Sequence, residues 1–158
     1  MGESELYETD FIGWTEQQGR LLREIAARPG NDRLDWSNIA EEIESLGRSQ
    51  YRGLLSQVQR VIVHLLKLQF SPAQHPRAGW MDTIDDGRRE IATYMISDPG
   101  LAARMIEIVA TANRLARIET ERALRRYEEA DAASRVREHV DFYTESQVVQ
   151  DWFPDATH

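Results

Sequence analysis

The stretch LDWSNIAEEIESLGRSQYRGLLSQVQRVIVHLLKLQF, Leu34 to Phe70, decides the fold. Its residues Ile39, Ile43, Leu46, Leu54, Val58, Val61, Leu65 and Leu68 recur near the three- and four-residue spacing of one helix face. Asp35 or Ser37 can cap the first amides, and Glu41, Glu42 and Glu44 follow near the positive end of the helix dipole. Ser71-Pro72 closes the run, since proline lacks the amide that a helix needs. The spacing predicts one long helix over about 35–70. Gly47 and Gly53 each cost about 1 kcal/mol against alanine inside a helix, so they mark a bend or the close approach of another helix.

Upstream, residues 1–9 read as a loosely anchored tail. Thr9 or Asp10 can start a helix to about Arg28 with the stripe Phe11, Trp14, Leu21, Leu22 and Ile25, ended by Pro29-Gly30-Asn31-Asp32. Downstream, the break from Ser71 to Pro76 precedes a third helix over about Ala78 to Ile96, with Trp80, Ile84, Ile91 and Met95 inward. Asp98-Pro99 restarts the chain as cap and first helical residue of a fourth helix holding Leu101, Met105, Ile108, Ala112, Leu115 and Leu124. Charges of both signs alternate from Glu119 to Arg137, which reads as a solvated helical face or a frayed extension, and residues 128–143 are expected to be flexible or to contact another copy. Thr144 and Gln147 have capping-box spacing before a short last helix with Val148 and Val149. No segment alternates with period two. The expectation is a single all-α domain over 1–158: an up-and-down bundle of about four main helices, one long, plus a short C-terminal helix.

Composition narrows the function classes. A chain of 158 residues with 41 % hydrophobic and 29 % charged residues can bury a core without metal or disulfide. It contains no cysteine, which excludes disulfides, thiolate metal sites and thiol nucleophiles and agrees with a cytoplasmic location. The acidic start has no apolar signal core. The densest apolar run, Leu54 to Phe70, is interrupted by Gln57, Gln59, Arg60, His64 and Lys67 and falls short of the roughly 18–20 apolar residues of a membrane span. A net charge of −8 opposes binding to nucleic acid or an anionic membrane. Lys67 is the lone lysine, and the arginine excess reads either as planar carboxylate pairing or as genomic base composition.

Several of these residues together resemble one bacterial family. Asp10-Phe11 with Trp14, the run from Leu34 to Ser49, His64-Leu65-Leu66-Lys67, Trp80 with Thr83-Ile84 and Arg88, and Asp151-Trp152-Phe153-Pro154 are similar to the domain-of-unknown-function 29 family. The resemblance is good from about Asp10 to Leu101 and returns only at 151–154. It implies a compact all-helical protein and no activity, so it transfers no site residue and no cofactor.

Two candidate sites come from the residues themselves. Glu41 and Glu42, with Glu44 near them, and His64 are a possible metal set, as carboxylates and imidazoles build di-iron sites in bundles. Against it, no glutamate lies three residues before a histidine, and the 22 residues from Glu42 to His64 span about 33 Å of helix. Glu44 and Arg48 at four-residue spacing give the glutamates a plain surface role. The second candidate is the strip Gln57, Arg60, His64 and Lys67, which an antiparallel third helix would set against Asp82, Asp85 and Asp86. A His-Asp pair with a nearby lysine is an acid/base group, and a carboxylate would raise the histidine pKa. A register-fixing polar contact is the plainer reading of the same residues.

Other chemistry finds less support. No nucleophile-elbow or phosphate-binding glycine loop is present. His75, His139 and His158 lie in a proline loop, the charged segment and the terminus. The arginines Arg114, Arg117, Arg122, Arg125, Arg126, Arg135 and Arg137 are interleaved with Glu119, Glu121, Glu128, Glu129 and Glu138, so a nucleic-acid face ranks last. The leading expectation is a non-catalytic interaction or self-association module with a protein partner or a second copy, and no cofactor. The alternative is a small hydrolase or nuclease-like enzyme using His64 with one of the three aspartates, with or without a divalent ion.

Overall fold

The structure is a computed structural model that describes residues 3–30 and 33–157; Met1, Gly2, Asn31, Asp32 and His158 of the segments above lie outside the described residues. Its elements are α1 (Glu3–Thr9), α2 (Phe11–Ala26), α3 (Trp36–Phe70), α4 (Arg77–Ser97), a 3-10 helix (Pro99–Arg104), α5 (Met105–Arg126), α6 (Ala130–Glu138) and α7 (Glu145–Val149). No strand occurs among the described residues. The fold is all-helical. The chain forms two compact units, Met1–Gly53 with Tyr94–Ala103, and Leu54–Thr93 with Arg104–His158. Helix α3 runs unbroken through both of its glycines.

In the first unit, Asp35 opens α3 by accepting from the Asn38 amide at 3.2 Å. Asp10 caps α2 by accepting from Gly13 N at 3.0 Å. The buried Asp98 accepts from the amides of Phe11 and Gly100 through Oδ1, each at 3.1 Å. A Cβ on Gly100 would lie 2.6 Å from Asp10 Cα, so that crossing admits only glycine. The segment 1–9, expected as a tail, is helical over Glu3–Thr9, and Tyr7 meets Phe11 and Trp14 edge-on at 5.7 and 4.8 Å.

The buried face of α2 is Ile12, Thr15 and Gly19, whereas Leu21 of the expected stripe is exposed. Small residues let backbones approach, and hydrophobic periodicity does not register them. A Cβ on Gly47 would overlap Thr15, one on Gly19 would overlap Glu44, and one on Gly53 would overlap the Tyr94 hydroxyl. The α3 glycines therefore mark close approaches. Leu46, expected inside, is 54 % exposed because Gly47 takes the contact position beside it.

The second unit is built on the apolar half of α3. Leu54, Val58, Val61, Ile62 and Leu65 are fully buried, as are Ile84 on α4, Met105 and Ile108 on α5, Val136 on α6 and Val148 on α7. The final carbonyls of α3 have no helical partners of their own. Arg77 Nη2 donates to Leu68 O at 3.0 Å, Thr157 N to Gln69 O at 2.8 Å, and Arg135 Nη2 to Phe70 O at 3.4 Å. Residues 139–144 are ordered by one buried amide. Asn113 Nδ2 donates to Tyr143 O at 2.9 Å, and Tyr143 N donates back to Asn113 Oδ1 at 3.0 Å. Within 128–143, expected to be flexible or in contact with another copy, Ala130–Glu138 is helix α6 with Ala132, Ala133 and Val136 buried.

Arg88 ties the C-terminal segment to α4. Its Nε donates to Val148 O at 3.0 Å, and its Nη2 donates to Gln147 O at 3.1 Å and Trp152 O at 2.6 Å. The guanidinium also lies 5.1 Å from the Phe153 ring centroid. Thr144 and Gln147 form the expected capping box ahead of α7.

Arg88→Ala is expected to cost about 3 kcal/mol in urea unfolding, because three carbonyls lose a charged donor. Amides from 148 to 152 should exchange faster in the same variant, and a loss under about 1 kcal/mol would contradict the role given to Arg88. Gly47→Val is expected to cost about 1–3 kcal/mol by forcing α2 away from α3; an unchanged urea midpoint would show that the approach is not constrained.

Candidate functional site

His64 lies half-buried on α3 in a shallow depression of about 170 Å³ shared with Ser56, Gln59, Arg60, Val63 and Glu119. Its Nδ1 is 2.8 Å from Arg60 O. A carbonyl can only accept, so Nδ1 carries the proton and Nε2 keeps the lone pair. Burial holds its pKa below the ordinary 6.5, and the charges of Lys67 and Arg60 act in the same sense. The carboxylate felt by His64 is Glu119 of α5, whose Oε2 accepts from Gln59 Nε2 at 2.7 Å.

The structure sets the α4 aspartates to other partners. Asp85 Oδ1 is 3.7 Å from Arg88 Nη1, and Asp86 is paired with Arg89. Asp82 is exposed on the same helix. None of the three is bonded to His64, whose ring partner is its own helix backbone. The Lys67 side chain forms no hydrogen bond or ion pair among the described residues and lines a different cavity with Trp80.

The glutamates of the first unit form an arginine network. Arg23 grips Glu44 through Nε at 3.0 Å and Nη2 at 2.8 Å, and reaches Glu41 at 3.2 Å. Arg48 also pairs with Glu41 and lies 3.8 Å from Glu44. The hydrogen bonds from Arg23 hold the Glu44 carboxyl below its ordinary pKa. Glu42 is exposed. Among the described residues, no three His, Cys, Asp or Glu side chains converge to hold a metal ion.

The arginines of the charged segment are mostly engaged. Arg117 donates to His139 O at 2.8 Å and lies over Phe142, Arg125 pairs with Glu121 at 3.0 Å, and Arg135 donates to Thr157 O at 2.7 Å. The side chains of Arg122 and Arg126 form no hydrogen bond or ion pair among the described residues. They line a groove of about 490 Å³ with Gln59, Leu115, Ile118, Glu119 and Ala123. Leu115, expected inward, is 41 % exposed, and Ile118 is 50 % exposed. Sequence reading missed this face because Leu115, Ile118 and Arg122 mix an apolar and a charged stripe. Their three- and four-residue spacing was the available signal.

The sign of the His64 shift fixes a pH dependence. The unfolded histidine, near 6.5, takes up a proton before the folded one does. Stability from keeping His64 neutral is full above that value and is lost as pH falls through the lower folded-state pKa. His139, lowered chiefly by burial, acts in the same direction. An NMR titration of His64 is expected to give a midpoint below 6.5. Urea stability should fall as pH drops below about 6.5 and through the lower folded-state pKa, and His64→Gln should reduce that slope. A midpoint above 6.5 would instead reveal a carboxylate partner.

No curated protein matches the chain. It is similar to the crystal structure of an alpha-helical protein of unknown function from Rhodospirillum rubrum, with 26 % identity and a TM-score of 0.68 over 94 % of this chain and 91 % of that one. A second comparison gives the family described as Domain of unknown function DUF29, matched over residues 6–153. That span holds both interlocked ends, the Asp10-Phe11 contact with Asp98 and the Arg88 contact with the C-terminal segment. The chain belongs to the DUF29 family.

Proposed function

We propose that this protein is a non-catalytic self-association module whose interface is the outward face of α5. The observation that carries the reading is the groove in which exposed Leu115 and Ile118 sit beside the unpaired Arg122 and Arg126. Two aliphatic side chains in a groove favour an apolar partner surface, and free guanidiniums at its edge favour a carboxylate. Glu119 on the same face supplies that carboxylate. A face that carries both charge signs around an apolar centre is self-complementary, as a two-fold interface requires. Antiparallel packing of α5 on α5 would set Glu119 against Arg122 of the other copy.

The catalytic alternative asks His64 to work with an α4 aspartate. Asp85 and Asp86 are held by arginines, and the His64 ring is oriented by a main-chain carbonyl, so the interaction reading has the better support. No helix among the described residues is long and apolar enough to cross a membrane. The absence of cysteine supports a cytoplasmic place for the module.

A single helix pair forms a small interface, so association should depend on concentration. Sedimentation velocity on the full chain is expected to show a monomer-dimer equilibrium. Ile118→Glu, with its helical circular dichroism retained, should weaken it by about tenfold or more. A wild-type chain that stays monomeric at high concentration, or an Ile118→Glu variant that associates equally well, would contradict the proposal.

A further inference from the structure

A second cavity in the Leu54–Thr93 and Arg104–His158 unit has a different character. It measures about 330 Å³, within the usual range for small-molecule sites, and its walls include Pro76, Trp80, Leu124 and Tyr127. Two charged groups of opposite sign, Lys67 and Glu129, line it. They form no ion pair with each other, and the Lys67 ammonium has no hydrogen-bond partner among the described residues. The Glu129 carboxylate has no hydrogen-bond partner among the described residues; its Oε2 is closed to water, which leaves Oε1 as the oxygen a ligand can reach.

Glu129 has a structural alternative that it does not use. It occupies the N-cap position of α6, yet its side chain makes no capping hydrogen bond. The preceding Glu128 has φ of 63°, a left-handed turn that costs a residue with a Cβ free energy. Through that turn the Glu129 amide bonds back to Leu124 O at 2.9 Å, which places its side chain beside the cavity. A carboxylate and an ammonium that line one largely apolar cavity without pairing are costly unless something bridges them.

We propose that this cavity binds a zwitterionic α-amino acid with a large apolar side chain. The ligand carboxylate meets Lys67, its ammonium donates to Glu129, and its side chain packs on Trp80, Leu124 and Pro76. Each ligand charge answers one unpartnered protein charge, and neither alone satisfies both. Burial lowers the Lys67 pKa, which agrees with a cation lacking a close partner while Glu119 and Glu129 act on it from farther away.

Isothermal titration of the full chain with L-phenylalanine tests the assignment. Saturable one-to-one binding is expected, with phenethylamine and phenylacetate each weaker by about tenfold or more, since each lacks one charge-assisted contact. Lys67→Met and Glu129→Gln should each reduce phenylalanine binding by a similar factor, with urea midpoints recorded to confirm folding. Absence of saturable phenylalanine binding, or equal binding of either truncated analogue, would overturn the proposal without reference to any variant. A folded Lys67→Met protein that binds like the wild type would overturn it as well.

Discussion

Guanidinium groups donating to main-chain carbonyls hold the second unit together. Arg77 and Arg135 close the end of α3, Arg88 gathers three carbonyls of the C-terminal segment, and Arg117 fixes the carbonyl of His139. A planar fork can serve two or three acceptors at fixed angles, which a lysine ammonium does less well. After α5, the chain places only Ala132, Ala133, Val136, Tyr143 and Val148 as apolar residues inside the core. Hydrogen bonds from guanidiniums, together with the buried Asn113 amide, therefore do much to order that part. The same chemistry leaves Arg122 and Arg126 conspicuous, as cations on α5 without such a role.

The first unit solves a different problem. Its α2 and α3 meet through Thr15, Gly19 and Gly47, with Arg23 bridging Glu41 and Glu44 along the rim. Exposed ion pairs of this sort contribute little individually. The close backbone approach sets the geometry, and the charges dress its edge. Buried Asp98 then joins the start of α2 to the 3-10 helix by accepting two amides.

Much of the helical layout was legible from spacing and breakers. The long α3, the break at Ser71-Pro72 and the Thr144–Gln147 box follow from period, proline and capping chemistry, and the structure agrees with them. The α2 face was illegible because glycine and threonine contacts carry no hydrophobic signal. The ordering of 139–144 was illegible because it depends on Asn113, a polar residue buried thirty positions away. The candidate site was read only in part. His64 was singled out, but its environment depends on α5 and Glu119, a pairing that local sequence does not encode. The arginine excess read as carboxylate pairing or as base composition; Arg23, Arg48, Arg89, Arg125 and Arg137 do face carboxylates, and Arg77, Arg88, Arg117 and Arg135 serve carbonyls as well.

The account rests on α5 facing α5 in a pair of chains. An isotope-filtered NOE experiment on a mixture of labelled and unlabelled protein reads that contact directly. The account predicts cross-peaks between copies from the methyl groups of Leu115 and Ile118 to α5 of the other chain. Concentrated samples without such cross-peaks, or with contacts confined to other exposed apolar residues such as Ile96 or Val140, would contradict it.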